Sequence, residues 1–275
     1  MEVQILSSAQ MTFEEQLISE YLKLGSIDSV FKKNNYDLPI SFSGFARLLA
    51  KNNIVTTAGP NSHLSESLYF FSLLKEYGGS VLRLHKKLGL NVSTQTLHRI
   101  LHNVRTGITR RYGTALLLED INSPGKYLLG RDFSLKGKLG KRGDWSLPMG
   151  HTREQDSDYT SILRILQREV FTDLTIKRHF PNEILKQNLK SIFSIDITDI
   201  KVHVYHLMIN SKKRQFSSFK LNNHQFLSYK EIASLQSRTC VKEIIRHYES
   251  NSLNENTISD LNRELAFLHV RSKIS

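Results

Sequence analysis

Residues 143–176, GDWSLPMGHTREQDSDYTSILRILQREVFTDLTI, decide how this chain is read. Between about Ser157 and Asp173 the apolar residues Ile162, Leu163, Leu166 and Val170 recur at helical spacing, so one helix with one buried face is expected. The polar residues of the same stretch carry the chemistry. Residues three and four apart share a helix face, which aims Glu169 and Asp173 at one point, with Thr172 between them. Glu154 and Asp156 precede the helix, and a Gly- and Lys-rich loop, SLKGKLGKRGD, leads into the stretch.

Working outward, the texture differs on the two sides. TALLLEDI and KYLLGRDF are strand-like runs joined by the turn Asn122-Ser123-Pro124-Gly125, and SIFSIDI and KVHVYHLMI follow the helix. Strands on both sides of a helix without repeated βα units give an α+β class. The first hundred residues instead read as helices. Phe13, Leu17, Ile18, Tyr21 and Leu22 recur at helical spacing, as do Phe42, Phe45, Leu48 and Leu49; a further helix capped by Ser65 carries Leu68, Phe71 and Leu74. A closing helix is expected over Cys240 to Tyr248. The organisation expected is a helical domain over residues 1–107, a second domain over 108–250, and a helical tail over 251–275.

The central stretch resembles the Nudix hydrolase signature, G-x5-E-x7-R-E-U-x-E-E-x-G-U, with U an apolar residue. Gly150 matches the opening glycine, Trp145-Ser146-Leu147-Pro148 is similar to the lead-in strand, and Arg168-Glu169-Val170 matches R-E-U. The resemblance extends over residues 108–250, since FKLNNHQFLSYKEIAS is similar to the segment before the family's last helix. It implies a mixed-sheet α/β/α sandwich. It also implies divalent-metal-dependent hydrolysis of a nucleoside diphosphate-linked or related phosphoanhydride. In that chemistry Mg2+ or Mn2+ neutralises the phosphates and activates water. Glu169 and Asp173 would be catalytic and would hold the metal, with Asp156 or Glu154 standing in for the first carboxylate. Arg168 would support the loop by pairing with that first carboxylate, and Gly150 would be structural. Lys138, Lys141 and Arg142 would contact substrate phosphates. Matched this way, the chain departs from the pattern: four residues are inserted between Gly150 and Arg168, Thr172 replaces one glutamate, and Leu174-Thr175-Ile176 lacks the glycine.

A second signal lies at residues 80–105. SVLRLHKKLGLNVSTQTLHRILHNVR has the anatomy of a helix-turn-helix: a helix ending at Gly89, a turn over Leu90 to Val92, and a second helix capped by Ser93 or Thr94. Leu97, Ile100, Leu101 and Val104 form its inward stripe, while Gln95, His98, Arg99, His102 and Arg105 form the other face. Lys86 and Lys87 add to it, and no acidic residue occurs from Tyr77 to Leu118. Such a face suits DNA or RNA phosphates and base edges. The alternative reading of the whole chain is therefore a nucleic-acid-binding regulator with a degenerate, nucleotide-sensing Nudix domain.

Composition sets the outer limits. The 275 residues carry 38 Lys+Arg against 26 Asp+Glu, a net charge of +12 that favours a polyanionic partner. A single cysteine, Cys240, excludes an internal disulfide framework and a multi-cysteine zinc site, and is read as a core residue. No apolar run approaches a membrane span, so a soluble, cytoplasmic protein is expected.

Overall fold

The computed structural model describes residues 11–57, 80–89, 93–106, 108–133, 143–197, 200–238 and 240–251. The expected helix after Ser65, the loop holding Lys138, Lys141 and Arg142, and the tail beyond residue 251 lie outside them.

The sandwich grows from alternation. In β1 (Arg111–Asp120) and β2 (Ser123–Asp132) successive side chains point to opposite faces of the sheet. Leu116, Leu118 and Leu128 enter one apolar core, and Ala115, Leu117, Tyr127 and Leu129 enter the other. β3 (Trp145–Ser146), β4 (Met149–Thr152), β5 (Phe193–Ile197), β6 (Ile200–Ile209) and β7 (Leu221–Ser228) complete a seven-stranded sheet. Its main path runs β3-β2-β1-β6-β5, with β4 paired to β1 and β7 to β2. β1 and β6 are parallel and the other pairings antiparallel. Both faces are covered, as a central parallel pair requires. The expected α+β class, helices followed by a mixed-sheet α/β/α sandwich, is what the chain forms.

Helix α6 (Asp158–Glu169) covers the first face through Ile162, Leu163, Ile165 and Leu166. Helices α8 (Tyr229–Ser234) and α9 (Val241–Asn251) cover the second through Ile232, Val241, Ile244 and Ile245. Cys240 is buried beside them, and burial pushes its thiol up to about 12, as befits a core residue.

The helix expected to run unbroken from Ser157 to Asp173 is two helices. α6 ends at Glu169 and α7 spans Thr172–Ile176. The break has a visible cause. Val170 O accepts from Ser217 N at 2.9 Å, and Thr172 N donates to Ser217 O at 3.1 Å. Phe171, fully buried, packs on Phe180 and Phe216. The neighbouring segment thus takes the backbone groups that a continuous helix would have used.

The N-terminal helices α1 (Phe13–Leu24), α2 (Ile27–Lys33) and α3 (Phe42–Lys51) build a third core around Tyr21, Phe31, Phe45 and Leu49. Ile176 of α7 belongs to that core, so this layer lies directly on the sandwich. The segment after α3 is tied to α6 by side chains. Gln167 accepts from Val55 N at 2.9 Å and donates to Asn53 O at 2.7 Å, and Arg164 Nε donates to Thr56 O at 2.8 Å. Helices α4 (Val81–Leu88) and α5 (Thr94–Thr106) follow as a hairpin before β1.

Candidate functional site

Strand β4 sets Gly150 opposite Thr114 and over α6. A Cβ on Gly150 would come within 2.9 Å of Ile165 Cδ1, so any larger residue here would force the buried Ile165 side chain to shift. The chain then turns through Arg153 to Asp156, where Arg153 N donates to Asp156 Oδ2 at 2.6 Å, and Ser157 caps α6 through Thr160 N. Asp156 also receives Arg164 Nη1 at 2.7 Å, and both side chains are buried. Burial works against the charged carboxylate, but the bonds from Arg164 and Arg153 outweigh it and hold Asp156 below the usual carboxylate range.

This pair sets the register of the box. Arg164 stands fourteen residues after Gly150 and eight after Asp156, the spacing of G-x5-E-x7-R. No four-residue insertion is needed, and the arginine that supports the loop carboxylate is Arg164, not Arg168. With Arg164 in place, the three glutamate positions that follow the arginine fall on Ile165, Arg168 and Glu169. Ile165 is a core residue. Arg168 faces the helical layer, with Nη2 3.4 Å from Leu22 O.

Of these three positions only Glu169 keeps a carboxylate, and each of its oxygens has a protein donor. Oε2 accepts from Met149 N at 2.8 Å, and Oε1 lies 2.5 Å from Lys220 Nζ. The same ammonium reaches Met149 O at 2.9 Å. His224 Nε2 lies 2.9 Å from Glu169 O, and burial holds this imidazole below its ordinary pKa. Asp173 is on α7, beyond the helix break, and its N–H is held by Ser217 Oγ at 2.8 Å. Glu169 and Asp173 therefore do not share one helix face, contrary to expectation. Thr172 Oγ1 donates to Gln167 O and Arg168 O.

These donors do not fit a Mg2+ or Mn2+ ion. A hard divalent cation needs several oxygen ligands converging on one point. Here an ammonium already occupies the space between Glu169 Oε1 and Met149 O, Asp156 is spent on Arg164, and Ile165 and Arg168 offer no anionic oxygen. Among the described residues no three His, Cys, Asp or Glu side chains gather as a metal site.

The hairpin presents the expected polar face. Ser80 caps α4 by accepting from Arg83 N at 3.2 Å, and Gly89 ends it in the left-handed conformation, φ 56°. Ser93 caps α5 by accepting from Thr96 N at 3.1 Å. Leu97 and Ile100 are buried, while Lys86, Lys87, Gln95, His98, Arg99 and His102 are exposed. Residues 90–92 and the side chains of Leu101, Val104 and Arg105 lie outside the described set.

The sequence reading passed over Lys220, Arg164 and Gln167. Counting fourteen residues from Gly150 would have found Arg164. Lys220 is remote in sequence from Glu169, and its local stretch carries no sign of the contact.

No family model and no curated protein matches the chain. Solved structures similar to it cover about half its length. They include the MutT protein from Methanosarcina mazei Go1, 12% identical over 53% of this chain and 97% of that one, TM-score 0.39. Another is the NUDIX domain of Shewanella oneidensis NrtR complexed with ADP ribose, 11% identical over 54% and 92%, TM-score 0.38. A third is the C-terminal domain of mouse MUTYH in complex with human PCNA, 18% identical over 52% and 90%, TM-score 0.36.

Proposed function

We propose that this chain acts by binding, as a nucleic-acid-binding regulator whose Nudix-like domain does not hydrolyse phosphoanhydrides. The observation that carries the reading is the Lys220–Glu169 contact: the remaining carboxylate of the box is neutralised from within. Hydrolysis would need a cation at that place to take charge from the phosphates and to activate water. The protein instead spends its own ammonium there, and that charge is tied to Glu169 and Met149 O.

The partner is read from α4 and α5. Their exposed Lys86, Lys87, Gln95, His98, Arg99 and His102 are hydrogen-bond donors for phosphates and base edges, on a chain of net charge +12. Capped ends and the buried Leu97 and Ile100 fix the second helix so that this face points outward. The test is a pair of measurements on the full chain. Anisotropy with labelled duplex DNA should give affinity that falls steeply with salt, and phosphate release from nucleoside diphosphate derivatives with Mg2+ or Mn2+ should stay at the uncatalysed rate. Turnover that disappears in Glu169→Gln would reverse the reading.

A further inference from the structure

A cavity of about 300 Å3 opens beside the first turn of α6, between the starts of β1 and β6 and the loop after β4. It lies at the opposite end of α6 from Glu169 and Lys220. Two aromatic rings flank it: Tyr112 and His203 are parallel to within 1°, with centroids 6.2 Å apart. A third ring, Tyr205, is buried and donates its hydroxyl to Asp158 Oδ1 at 2.6 Å.

The charge on the wall is negative, on a chain that is otherwise strongly basic. Asp156 is neutralised by Arg164. Glu154 and Asp158 are not: neither pairs with a cation among the described residues, and their protein contacts are the hydroxyls of Tyr112, at 3.4 Å, and of Tyr205. Arg153 keeps its positive charge at the wall, with its guanidinium on Thr57 O at 3.0 Å, so three carboxylates against Arg164 and Arg153 leave one net negative charge. A phosphate or carboxylate ligand would meet two carboxylates that no cation contacts among the described residues. For a metal ion, no gathered set of three His, Cys, Asp or Glu ligands is present among the described residues. An ammonium group suits what is present, since carboxylates accept its N–H bonds and ring faces attract its charge.

We propose that this cavity binds an organic ammonium ion of the aliphatic diamine or polyamine class, with its nitrogens on Glu154 and Asp158 and its methylenes against the Tyr112 and His203 rings. The site does not depend on the nucleic-acid reading, and either can fail alone.

The test is calorimetric titration of the full chain, free of nucleic acid and at fixed ionic strength, with putrescine, spermidine and, as the uncharged isostere of putrescine, 1,4-butanediol. The amines should bind once per chain and the diol should not. Glu154→Gln/Asp158→Asn, which removes both ionic contacts, should weaken amine binding about tenfold or more, a loss of about 1.4 kcal/mol at least. A charge-matched control, Asp28→Asn/Glu183→Gln, should bind as the unchanged protein does. Should the double variant fail to fold by circular dichroism, Glu154→Gln alone, on an exposed side chain, carries the same expectation. Absence of amine binding, equal binding by the site and control variants, or equal binding of the diol would each overturn the proposal.

Discussion

Lys220 Nζ lies 2.5 Å from Glu169 Oε1, and the opposite oxygen of that carboxylate accepts the N–H of Met149. The contact closes the junction between the entrance to the box and the end of α6. Because Glu169 is buried, removing Lys220 leaves an uncompensated charge inside the protein. Lys220→Met should therefore cost about 3 kcal/mol of stability, read from urea unfolding. Glu169→Gln/Lys220→Met should cost less than the two single changes added together, and strict additivity would show that the contact carries no energy.

Arg164→Ala tests the register of the box. It removes both the partner of Asp156 and the donor to Thr56 O, so a loss of about 3 kcal/mol is expected. Arg164→Lys should recover only part of it, because one ammonium cannot reproduce the fixed fork of donors. If Arg168 were instead the loop's support, Arg164→Ala would be mild.

These two relations show what was legible in the sequence. The apolar run in TALLLEDI, the Asn122-to-Gly125 turn and the apolar stripe of α6 act over a few residues, so the α+β class could be read directly, while the mixed-sheet sandwich came from the resemblance to the Nudix signature. Gly150 was found because it matches the opening glycine of the pattern, and its close approach to Ile165 is visible only in the fold. The wrong match, Arg168 for Arg164, arose because Arg168-Glu169-Val170 reproduces R-E-U by residue type, whereas the count from Gly150 and the contact with Asp156 both select Arg164. The break at Val170 and Phe171 depends on Ser217, and the Lys220 contact on the same distant segment. Local periodicity carries no trace of such pairings. The hairpin, by contrast, is built from local caps, and its helices follow the expected bounds.

Stability should fall in acid in a defined window. Asp120 is buried, which disfavours its charge. The bonds from Ser211 N–H and hydroxyl, together with the Asn122 amide and N–H, outweigh that and lower it to about 2. A folded-state value below the unfolded one contributes stability above about pH 4, and this is lost as pH falls towards 2. The contribution is about 2 kcal/mol at neutral pH. Asp120→Asn should show lower stability at pH 7 and a flatter acid limb in thermal melts; an unchanged acid limb would contradict the assignment.

Gln167→Leu should release the segment after α3. The change leaves Val55 N–H and Asn53 O without their partners, at a cost of about 2 kcal/mol. Limited proteolysis should then cut near residues 53–57 faster than in the unchanged protein. Equal cutting rates would mean that the helical layer is held by its apolar core alone.

Arg99→Ala and Lys86→Ala should each weaken duplex DNA binding and lower the slope of log affinity against log salt by about 1, with folding intact. Substituting Arg178, which pairs with Glu14 and is not part of α4 or α5, should leave that slope unchanged. Equal effects from all three would mean that net charge, not the α4–α5 face, governs binding.

The most direct test of the central claim is calorimetric titration of the full chain with Mg2+ and with Mn2+. The Lys220–Glu169 contact predicts no stoichiometric binding of either ion, in the unchanged protein and in Glu169→Gln alike. Binding of one or more ions per chain that vanishes in Glu169→Gln would contradict it and return the box to metal-dependent hydrolysis.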